Sequence, residues 1–309
     1  MQLIRGLDQL RPMTKGCVLT IGNFDGVHLG HRAVIQKLAQ QGKAFGLPVV
    51  AMVFEPQPLE YFLRDNAPAR LTRLQEKVRH FENLAIDYLL IVRFNQAFAD
   101  AEPEYFIKEI LLNRLNIKFL VVGDDFHFGK ARRGNFAMLK EMGRIYGFHV
   151  ESTEPYLIDG QRVSSTLIRD ALNAGELDTA EKLLGRAYSV CGTVEHGDKR
   201  GATIGFPTAN IQMHREKTPI QGVFAVTMTG IDERELSGVA NVGTRPTFDG
   251  GTRVVLEVHL FNFDEDIYGK EVEVHFKKKI RDEVRFQSLE DLQRQIHKDV
   301  ASAQQILAI

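Results

Sequence analysis

Two histidines stand three residues apart in the string GNFDGVHLGH, which spans 22–31. The string follows a short apolar run and precedes a segment with helical periodicity. At this position the start of a helix offers free backbone N–H groups and the positive end of its dipole, which together favour anions. The imidazole N–H groups of His28 and His31 could hold a triphosphate there and stabilise the charge that develops during transfer. A metal-binding pair and a purely structural turn are the alternatives.

A second set of candidate residues lies in the string HGDKRGATIGFPTAN at 196–210. A loop that combines glycines with cations can wrap phosphates through its backbone N–H groups. Thr208 and Asn210 add neutral oxygen atoms that share one face if the segment is extended, and such oxygens suit magnesium on a nucleotide. A plain glycine-rich hairpin loop is the alternative. The candidate loop residues are Gly197, Lys199, Arg200, Gly201 and Gly205.

Further polar side chains follow or interrupt apolar runs. Asp124 and Asp125 come directly after the run FLVVG, and Glu257 alternates with Leu256 and Val258 in a strand-like segment. A carboxylate beside a nucleotide can orient or deprotonate an alcohol, although strand carboxylates usually only face solvent. Hydroxyl groups and a cation at a helix start could hold phosphates, or could form only an N-cap and a surface arginine. That cluster consists of Ser164, Ser165, Thr166 and Arg169.

The elements that must position these residues alternate in the first half of the chain. Short apolar runs predict strands, and amphipathic segments between them predict helices. This order predicts an open parallel sheet with helices on both faces, which binds ligands beyond the carboxyl ends of its strands. The predicted strands are 17–22, 47–55, 88–94, 119–123 and 149–155, and the predicted helices are 31–41, 74–85, 101–115, 135–147, 165–175 and 178–185.

The rhythm changes after Arg186, where segments with alternating polarity are divided by Gly, Pro, Asn and Asp turns. Several short strands in succession predict an antiparallel barrel or sandwich, of which we favour a small barrel. Ser288 and Asp291 then form a capping signal for a final helix. We therefore predict two domains, 1–186 and 187–309.

The composition is typical of a globular protein: the 309 residues are 44% hydrophobic and 26% charged. The 39 Lys and Arg residues nearly balance the 40 Asp and Glu residues, which argues against nucleic acid as a partner. The apolar runs are too short to cross a bilayer. Two cysteines far apart in sequence predict no disulfide framework, and a cytoplasmic location fits best.

The first half resembles a known family. His-x-Gly-His directly after the first strand is the signature of the HIGH-type nucleotidyltransferases, and GNFDGVHLGH is similar to the adenylyltransferase module of the prokaryotic-type FAD synthetases. FEPQP at 54–58, with Gln57 where that family usually has His, GDDFHFG at 123–129 and VSSTLIRDAL at 163–172 resemble the same family in the same order. The resemblance implies a doubly wound, Rossmann-like fold. It also implies nucleotide contacts at Gly22, Asn23, Phe24, Asp25, Gly30, Ser164, Ser165, Thr166 and Arg169, and flavin contacts at Phe54, Pro56, Asp125 and Phe126.

The second half resembles the riboflavin kinases, whose hallmark is GFPTAN. The strings NVGTRPTFDG at 241–250, LEVHLFNFDEDIYGKEV at 256–272 and IRDEVRFQSLEDLQRQIHKD at 280–299 resemble that family in order. The resemblance implies that Glu257 is the catalytic residue that activates the ribityl hydroxyl. It further implies magnesium ligands at Thr208 and Asn210, flavin contacts at Phe206 and Arg281, and nucleotide contacts at the glycine loop and Pro207.

Together the two resemblances imply a bifunctional enzyme that uses Mg²⁺ and ATP. Riboflavin would be phosphorylated to FMN, and FMN would be adenylylated to FAD with release of pyrophosphate, so that FAD is a product. A nucleotidyltransferase with another small phosphate acceptor and a non-catalytic flavin- or nucleotide-binding regulator are the rival hypotheses. The sequence indicates no membrane partner and gives no information on protein partners.

Overall fold

The computed structural model describes residues 1–197, 205–246 and 252–309. The described chain forms two compact units. The first unit comprises Met1–Pro68 and Thr72–Val163, and the second comprises Ala69–Leu71 and Ser164–Ile309. Of the residues predicted to bind phosphate, Lys199, Arg200 and Gly201 lie outside the described residues.

A parallel sheet forms the centre of the first unit, as the alternation of strands and helices predicts. Six of the described strands make this sheet in the order β1–β4–β3–β2–β5–β8, and every neighbouring pair is parallel. The remaining strands form two short antiparallel pairs. The strands are β1 Gln2–Arg5, β2 Cys17–Ile21, β3 Val49–Glu55, β4 Tyr88–Arg93, β5 Ile117–Val122, β6 His127–Phe128, β7 Gly134–Asn135, β8 His149–Ser152, β9 Leu157–Ile158 and β10 Gln161–Arg162.

Helices cover both faces of this sheet. The predicted helix at 101–115 is instead a short α-helix that continues as a π-helical segment, Phe106–Arg114. Its buried residues are spaced in a way that suits both helix types, so periodicity does not distinguish them. The helices are α1 Leu29–Phe45, α2 Pro58–Leu63, α3 Leu74–Glu82, α4 Gln96–Ala99, α5 Pro103–Tyr105 and α6 Phe136–Tyr146.

Alternating side chains of the central strands fill two separate cores. All five residues of β2 are buried, as expected for a parallel strand covered on both faces. Leu19 and Ile21 face a core that includes α6, whereas Val18 faces a core that includes Ile35 and Leu38 of α1. The sheet therefore holds the carboxyl ends of its strands in a fixed frame.

The order of the strands reverses at β2, whose neighbours are β3 and β5. In doubly wound sheets, ligands bind in the crevice outside the carboxyl ends of the strands at this switch point. The segment after β2 carries the predicted histidines, and the segment after β5 carries Asp125 and Phe126. The topology therefore brings two of the sequence-predicted segments to one end of the sheet.

A closed antiparallel barrel forms the centre of the second unit, as predicted. Its described strands follow one another around the barrel in the order β11–β12–β15–β14–β13–β16. Two helices precede the barrel and one follows it. The elements are α7 Ser165–Ala174, α8 Leu177–Leu184, β11 Ser189–Glu195, β12 Ala209–Gln212, β13 Gly222–Thr229, β14 Leu236–Pro246, β15 Thr252–Leu260, β16 Glu271–Arg281 and α9 Leu289–Leu307.

Helix α9 begins at the predicted cap, because Oγ of Ser288 accepts a hydrogen bond from the backbone N–H of Asp291 at 3.1 Å. Its Ala303 packs with Val223 and Val239 on the outer face of the barrel. Within the described residues, no helix combines the length and the apolar character needed to span a membrane.

Candidate functional site

The histidine pair lies at the start of α1. Nδ1 of His28 accepts the backbone N–H of His31 at 3.3 Å, so His28 is the N-cap of the helix. In the neutral ring the proton then sits on Nε2, which makes Nε2–H a donor. The two rings stack with their centroids 3.6 Å apart. A Cβ at Gly30 would lie 3.2 Å from the His28 ring, so glycine leaves that ring its space.

The environment keeps His31 neutral. Burial lowers the pKa of His31 well below 6.5, with smaller contributions from His28 and from the charge of Lys77. Nδ1 of His31 is a buried atom, and no hydrogen-bond partner for it is found in the described part of the chain. A neutral imidazole with an unmatched ring nitrogen can hydrogen-bond a ligand without bringing a second charge into the site.

The turn that carries the pair has an unusual backbone. Phe24, Gly26 and Val27 all have positive φ angles, of 47°, 83° and 41°, and only glycine adopts this conformation without strain. The buried Asp25 accepts two hydrogen bonds at Oδ1 from Thr72, one from its N–H at 3.0 Å and one from its hydroxyl at 3.3 Å. The Thr72 hydroxyl also accepts the Gly26 N–H at 2.9 Å. These bonds hold the turn, and a nucleotide contact of Asp25 stays a prediction.

Helix α3 supplies two further supports that the sequence motifs do not include. Nζ of Lys77 donates to the backbone carbonyl of Asn23 at 2.5 Å. The Phe81 ring packs edge-on against Phe24 at 5.4 Å, and Phe24 contacts the His31 ring at 5.0 Å. No motif spacing signals these contacts, because a lysine in an amphipathic helix ordinarily predicts a surface position.

A continuous group of aromatic rings, here called the aromatic wall, joins the two segments that the resemblance assigns to flavin. Consecutive rings along it lie 5.1–6.1 Å apart, in tilted, edge-on or stacked contacts. From one segment to the other these rings are Phe54, Phe98, Phe106, Phe128 and Phe126. The wall extends to Tyr61 and Phe62 through Phe94, and Phe62 is 61% exposed.

The polar residues beside the aromatic wall have distinct environments. Asp125 is exposed, and its carboxylate folds back so that a Cβ at Gly123 would lie 2.5 Å from Oδ1. Gln57 follows Pro56 and is 5% exposed, and its Nε2 has no hydrogen-bond partner among the residues that the structure describes. Gln57 therefore carries an unmatched donor at the position where the resembled family has histidine.

The predicted hydroxyl cluster lies in the second unit. Oγ of Ser164 accepts the N–H of Leu167 at 3.2 Å and so caps α7, while Thr166 is exposed. Nε of Arg169 donates to the carbonyl of Ala69 at 2.7 Å. These are the bonds of an ordinary N-cap and a loop contact, so phosphate binding by the cluster stays a prediction.

Three polar residues form a row across neighbouring strands of the barrel. Asn210 on β12 lies directly opposite Glu257 on β15, and Asn241 on β14 lies opposite Glu257 on its other side. Leu256 and Val258 point into the barrel core, so the row is on the outer face. Directly opposed side chains have Cβ atoms about 5 Å apart, which places both amides beside the carboxylate.

The segment before β12 is fixed beside this row. A Cβ at Gly197 would collide with the Asn210 amide, so the glycine allows the backbone at position 197 to lie close to Asn210. His259 is hydrogen-bonded through Nδ1 to the carbonyl of Pro207 at 2.8 Å. The buried Phe206 packs edge-on against His259, and Thr208 is half-buried. The structure thus brings Gly197, Asn210 and Glu257 together.

Arg281 pairs with the C-terminal helix. Its Nη2 lies 2.7 Å from Oδ2 of Asp299, and its Nε donates to both carboxylate oxygens. A flavin contact of Arg281 stays a prediction. Asn241 has no sequence-predicted role, although it begins one of the strings that carry the resemblance. Only the strand register reveals its place beside Glu257.

Two family models match this chain. The model described as FAD synthetase matches residues 10–167, and the model described as riboflavin kinase matches residues 184–307. These matches cover the parallel-sheet part and the barrel part respectively. They confirm both resemblances that the sequence motifs indicate.

Full-length relatives agree with the family models. A protein of Escherichia coli strain K12 named bifunctional riboflavin kinase/FMN adenylyltransferase is 49% identical, and the match covers 100% of this chain and 99% of that protein. A protein of the same name from Haemophilus influenzae is 50% identical, with 98% of each chain covered. A crystal structure described as a macrolide-efflux protein from Streptococcus pneumoniae matches with a TM-score of 0.82 and 30% identity over 97% of each chain. The chain belongs to the family of bifunctional riboflavin kinases/FMN adenylyltransferases.

Proposed function

We propose that this chain converts riboflavin to FMN and FMN to FAD, with ATP as the second substrate of both reactions. Residues 1–186 carry adenylyl transfer, and residues 187–309 carry the kinase reaction. The observation that supports this division is the presence of two separate residue sets: the stacked pair His28 and His31 at a helix start, and the row of Asn210 and Glu257 on the barrel.

Adenylyl transfer joins the phosphate of FMN to the α-phosphorus of ATP, and the bond to pyrophosphate breaks. Nε2–H of His28 and the neutral ring of His31 hydrogen-bond phosphate oxygens as negative charge develops on them. The free N–H groups at the start of α1 add the positive end of the helix dipole. No covalent intermediate on the protein is needed, because positioning and charge stabilisation are sufficient for phosphoryl-type transfer.

The aromatic wall suits a planar flavin ring. Phe62 presents an exposed aromatic side chain at the end of the wall, where a ring can stack without displacing the core. Asp125 and the unmatched Nε2 of Gln57 provide an acceptor and a donor beside the wall. The isoalloxazine carries both carbonyl oxygens and N–H groups, so this combination fits its polar edge.

The kinase reaction transfers the γ-phosphoryl group of ATP to the terminal ribityl hydroxyl of riboflavin. Glu257 accepts the hydroxyl proton as the oxygen attacks, and ADP leaves. Asn210 and Asn241 flank the carboxylate on neighbouring strands and restrict its orientation. Gly197 lets its own backbone lie against the Asn210 amide, which places it at the proposed phosphate site.

The donor chemistry of Thr208, Asn210 and Glu257 fits Mg²⁺, which prefers oxygen ligands. Thr208 and Asn210 would hold the ion against the nucleotide phosphates. Magnesium supplies neutralisation of the phosphate charge when bound. A cytoplasmic location accords with two buried thiols, Cys17 and Cys191, that form no disulfide. Burial raises the pKa of the Cys17 thiol to about 12.

The proposal is tested by incubating the protein with riboflavin and Mg-ATP and separating the flavins by chromatography. We expect FMN and FAD, and a folded protein that forms neither product contradicts the assignment. The double variant His28→Ala/His31→Ala should accumulate FMN. His149→Ala is the matched control, because His149 is an exposed histidine on the same unit. Unimpaired FAD formation by the double variant would remove the pair from the mechanism.

The kinase role is tested with Glu257→Gln, which keeps the shape of the side chain and removes its basicity. This variant should form no FMN from riboflavin and should still convert added FMN to FAD. Glu233→Gln, at an exposed position of the same unit, is the control. Loss of both activities in Glu257→Gln, or of neither, contradicts the proposed division.

A further inference from the structure

The turn before α1 is held at four consecutive positions by residues of α3 and by Thr72, which lies just before α3. Hydrogen bonds hold three of these positions, and an aromatic contact holds the fourth. Because the turn contains several residues with positive φ, its conformation depends on such outside contacts. Lys77 contacts Asn23, Phe81 contacts Phe24, and Thr72 contacts both Asp25 and Gly26.

Lys77 is the unusual member of this set. Its side chain is 0% exposed, and it is among the largest fully buried side chains of the described chain. Lysine almost always brings its ammonium group to water, and removal of that charge from water is costly. Methionine would fill nearly the same volume without this cost. Stability alone is therefore a poor reason for a cation at this position.

The location of the ammonium group gives a better reason. Its Nζ lies 2.5 Å from the carbonyl oxygen of Asn23, which is the second residue after β2 and belongs to the segment that leads to His28. The crevice at this end of the sheet is the one in which a polyphosphate is proposed to bind. A buried cation behind the turn is screened little by solvent, so its field reaches the phosphates more strongly than that of a surface lysine.

We propose that Lys77 is a positioning residue for adenylyl transfer, which fixes the turn at Asn23 and adds positive charge behind the phosphate site of His28 and His31. This inference rests on the proposed function of that pair. Lys77 acts through the turn and through its field, without contact with the reacting atoms.

The same charge affects the titration of His31. Lys77 is one of the groups that lower the pKa of His31, after burial and after His28. Removal of the Lys77 charge therefore raises this pKa. The three elements around His31 carry other titratable or charged groups. These are His28 at the cap of α1, Arg32, Lys37 and Lys43 on α1, Asp25 in the turn, Arg73 at the cap of α3, and Glu76, Arg79, His80 and Glu82 on α3.

The test compares Lys77→Met with Lys77→Arg in the full chain, with FMN and Mg-ATP as substrates. For Lys77→Met we expect kcat/KM for FAD formation to fall by roughly tenfold to a hundredfold, the loss typical of a slightly misplaced site. The acid limb of its pH–rate profile should move to higher pH, because His31 is protonated more readily. Lys77→Arg keeps the charge and should keep the acid limb in its wild-type position.

The kinase activity of the same polypeptide reports whether the variant is folded. It should stay within about twofold of wild type, a change much smaller than the one expected in FAD formation. Lys43→Met, an exposed change on α1, is the matched control and should alter neither activity. If Lys77→Met does not fold, the pH–rate profile of Lys77→Arg tests the proposal instead. An acid limb displaced from its wild-type position in Lys77→Arg overturns the proposal. Wild-type FAD formation and an unmoved acid limb in a folded Lys77→Met also overturn it. Failure of the wild-type protein to form FAD would instead contradict the proposed function.

Discussion

Thr72→Val isolates the hydrogen bonds that hold the turn before α1. Valine has nearly the same shape as threonine, so the change removes the hydroxyl without opening a cavity. It removes the acceptor 2.9 Å from the Gly26 N–H and the donor 3.3 Å from the Asp25 carboxylate, while the Thr72 backbone bond to Asp25 remains. Loss of this partner of the Gly26 N–H costs about 1–3 kcal/mol, and loss of the bond to Asp25, which keeps the Thr72 N–H, costs about 1 kcal/mol, so we expect a total of about 2–4 kcal/mol.

The free energy of unfolding of Thr72→Val is measured by chemical denaturation, together with the rates of both reactions. We expect the free energy of unfolding to decrease by the total of about 2–4 kcal/mol derived from the two bonds. FAD formation from FMN should fall by about tenfold, because a loosened turn displaces His28. FMN formation from riboflavin should not change. Thr14→Val is the control, because Thr14 is exposed on the same unit. A stability change below about 1 kcal/mol, less than one buried hydrogen bond, would refute the account of the turn.

Three further changes test other parts of the structure. Gly197→Ala should lower FMN formation by about tenfold in a riboflavin assay, because the new Cβ displaces the Asn210 amide, and should leave FAD formation from FMN unchanged. The free energy of unfolding of the wild-type protein should decrease as the pH is lowered from 6.5, by up to about 1.4 kcal/mol per pH unit, because only the unfolded state readily binds a proton at His31. Denaturation curves at several pH values should show that His31→Asn lacks this contribution. Asp299→Ala should destabilise the barrel unit by about 3 kcal/mol in thermal or chemical denaturation, because it leaves the guanidinium of Arg281 without its carboxylate. Unchanged kinase activity in Gly197→Ala would contradict the first prediction, and equal pH slopes in the wild type and His31→Asn would contradict the second. A stability loss below about 1 kcal/mol in Asp299→Ala would contradict the third.

The central elements of the fold follow from simple patterns. Strand β2 is a run of five apolar or small residues, and the histidine segment comes directly after it, so a helix start at the sheet edge is predictable. Alternation of polarity likewise predicts the barrel strands. The strings GNFDGVHLGH and GFPTAN predict the two activities, and the family models confirm this prediction.

Other elements leave little trace in the sequence. Strand β1, Gln2–Arg5, is only four residues long and lies at the sheet edge, where its pairing with β4 decides its conformation. Helix α2, Pro58–Leu63, is shorter than two turns, and the spacing of the buried residues in the π-helical segment 106–114 is compatible with either helix type. Short elements of this kind are fixed by tertiary contacts more than by local preference.

The supports of the candidate sites are equally hidden. Lys77 and Thr72 act across about 50 positions of sequence on the turn before α1, and each has an ordinary place in a polar segment. Asn241 reaches Glu257 only through the register of β14 and β15. Motifs predict which residues contact ligands, whereas the residues that position those groups emerge only when the strands and helices are packed together.

The claim that two independent residue sets carry out two successive reactions is tested most directly by a mixing experiment. The variants Glu257→Gln and His28→Ala/His31→Ala are incubated with riboflavin and Mg-ATP, separately and together, and FAD is measured by chromatography. The account predicts no FAD from either variant alone and FAD from the mixture, because FMN made by one variant is adenylylated by the other. FAD from a single variant, or its absence from the mixture, would contradict the account.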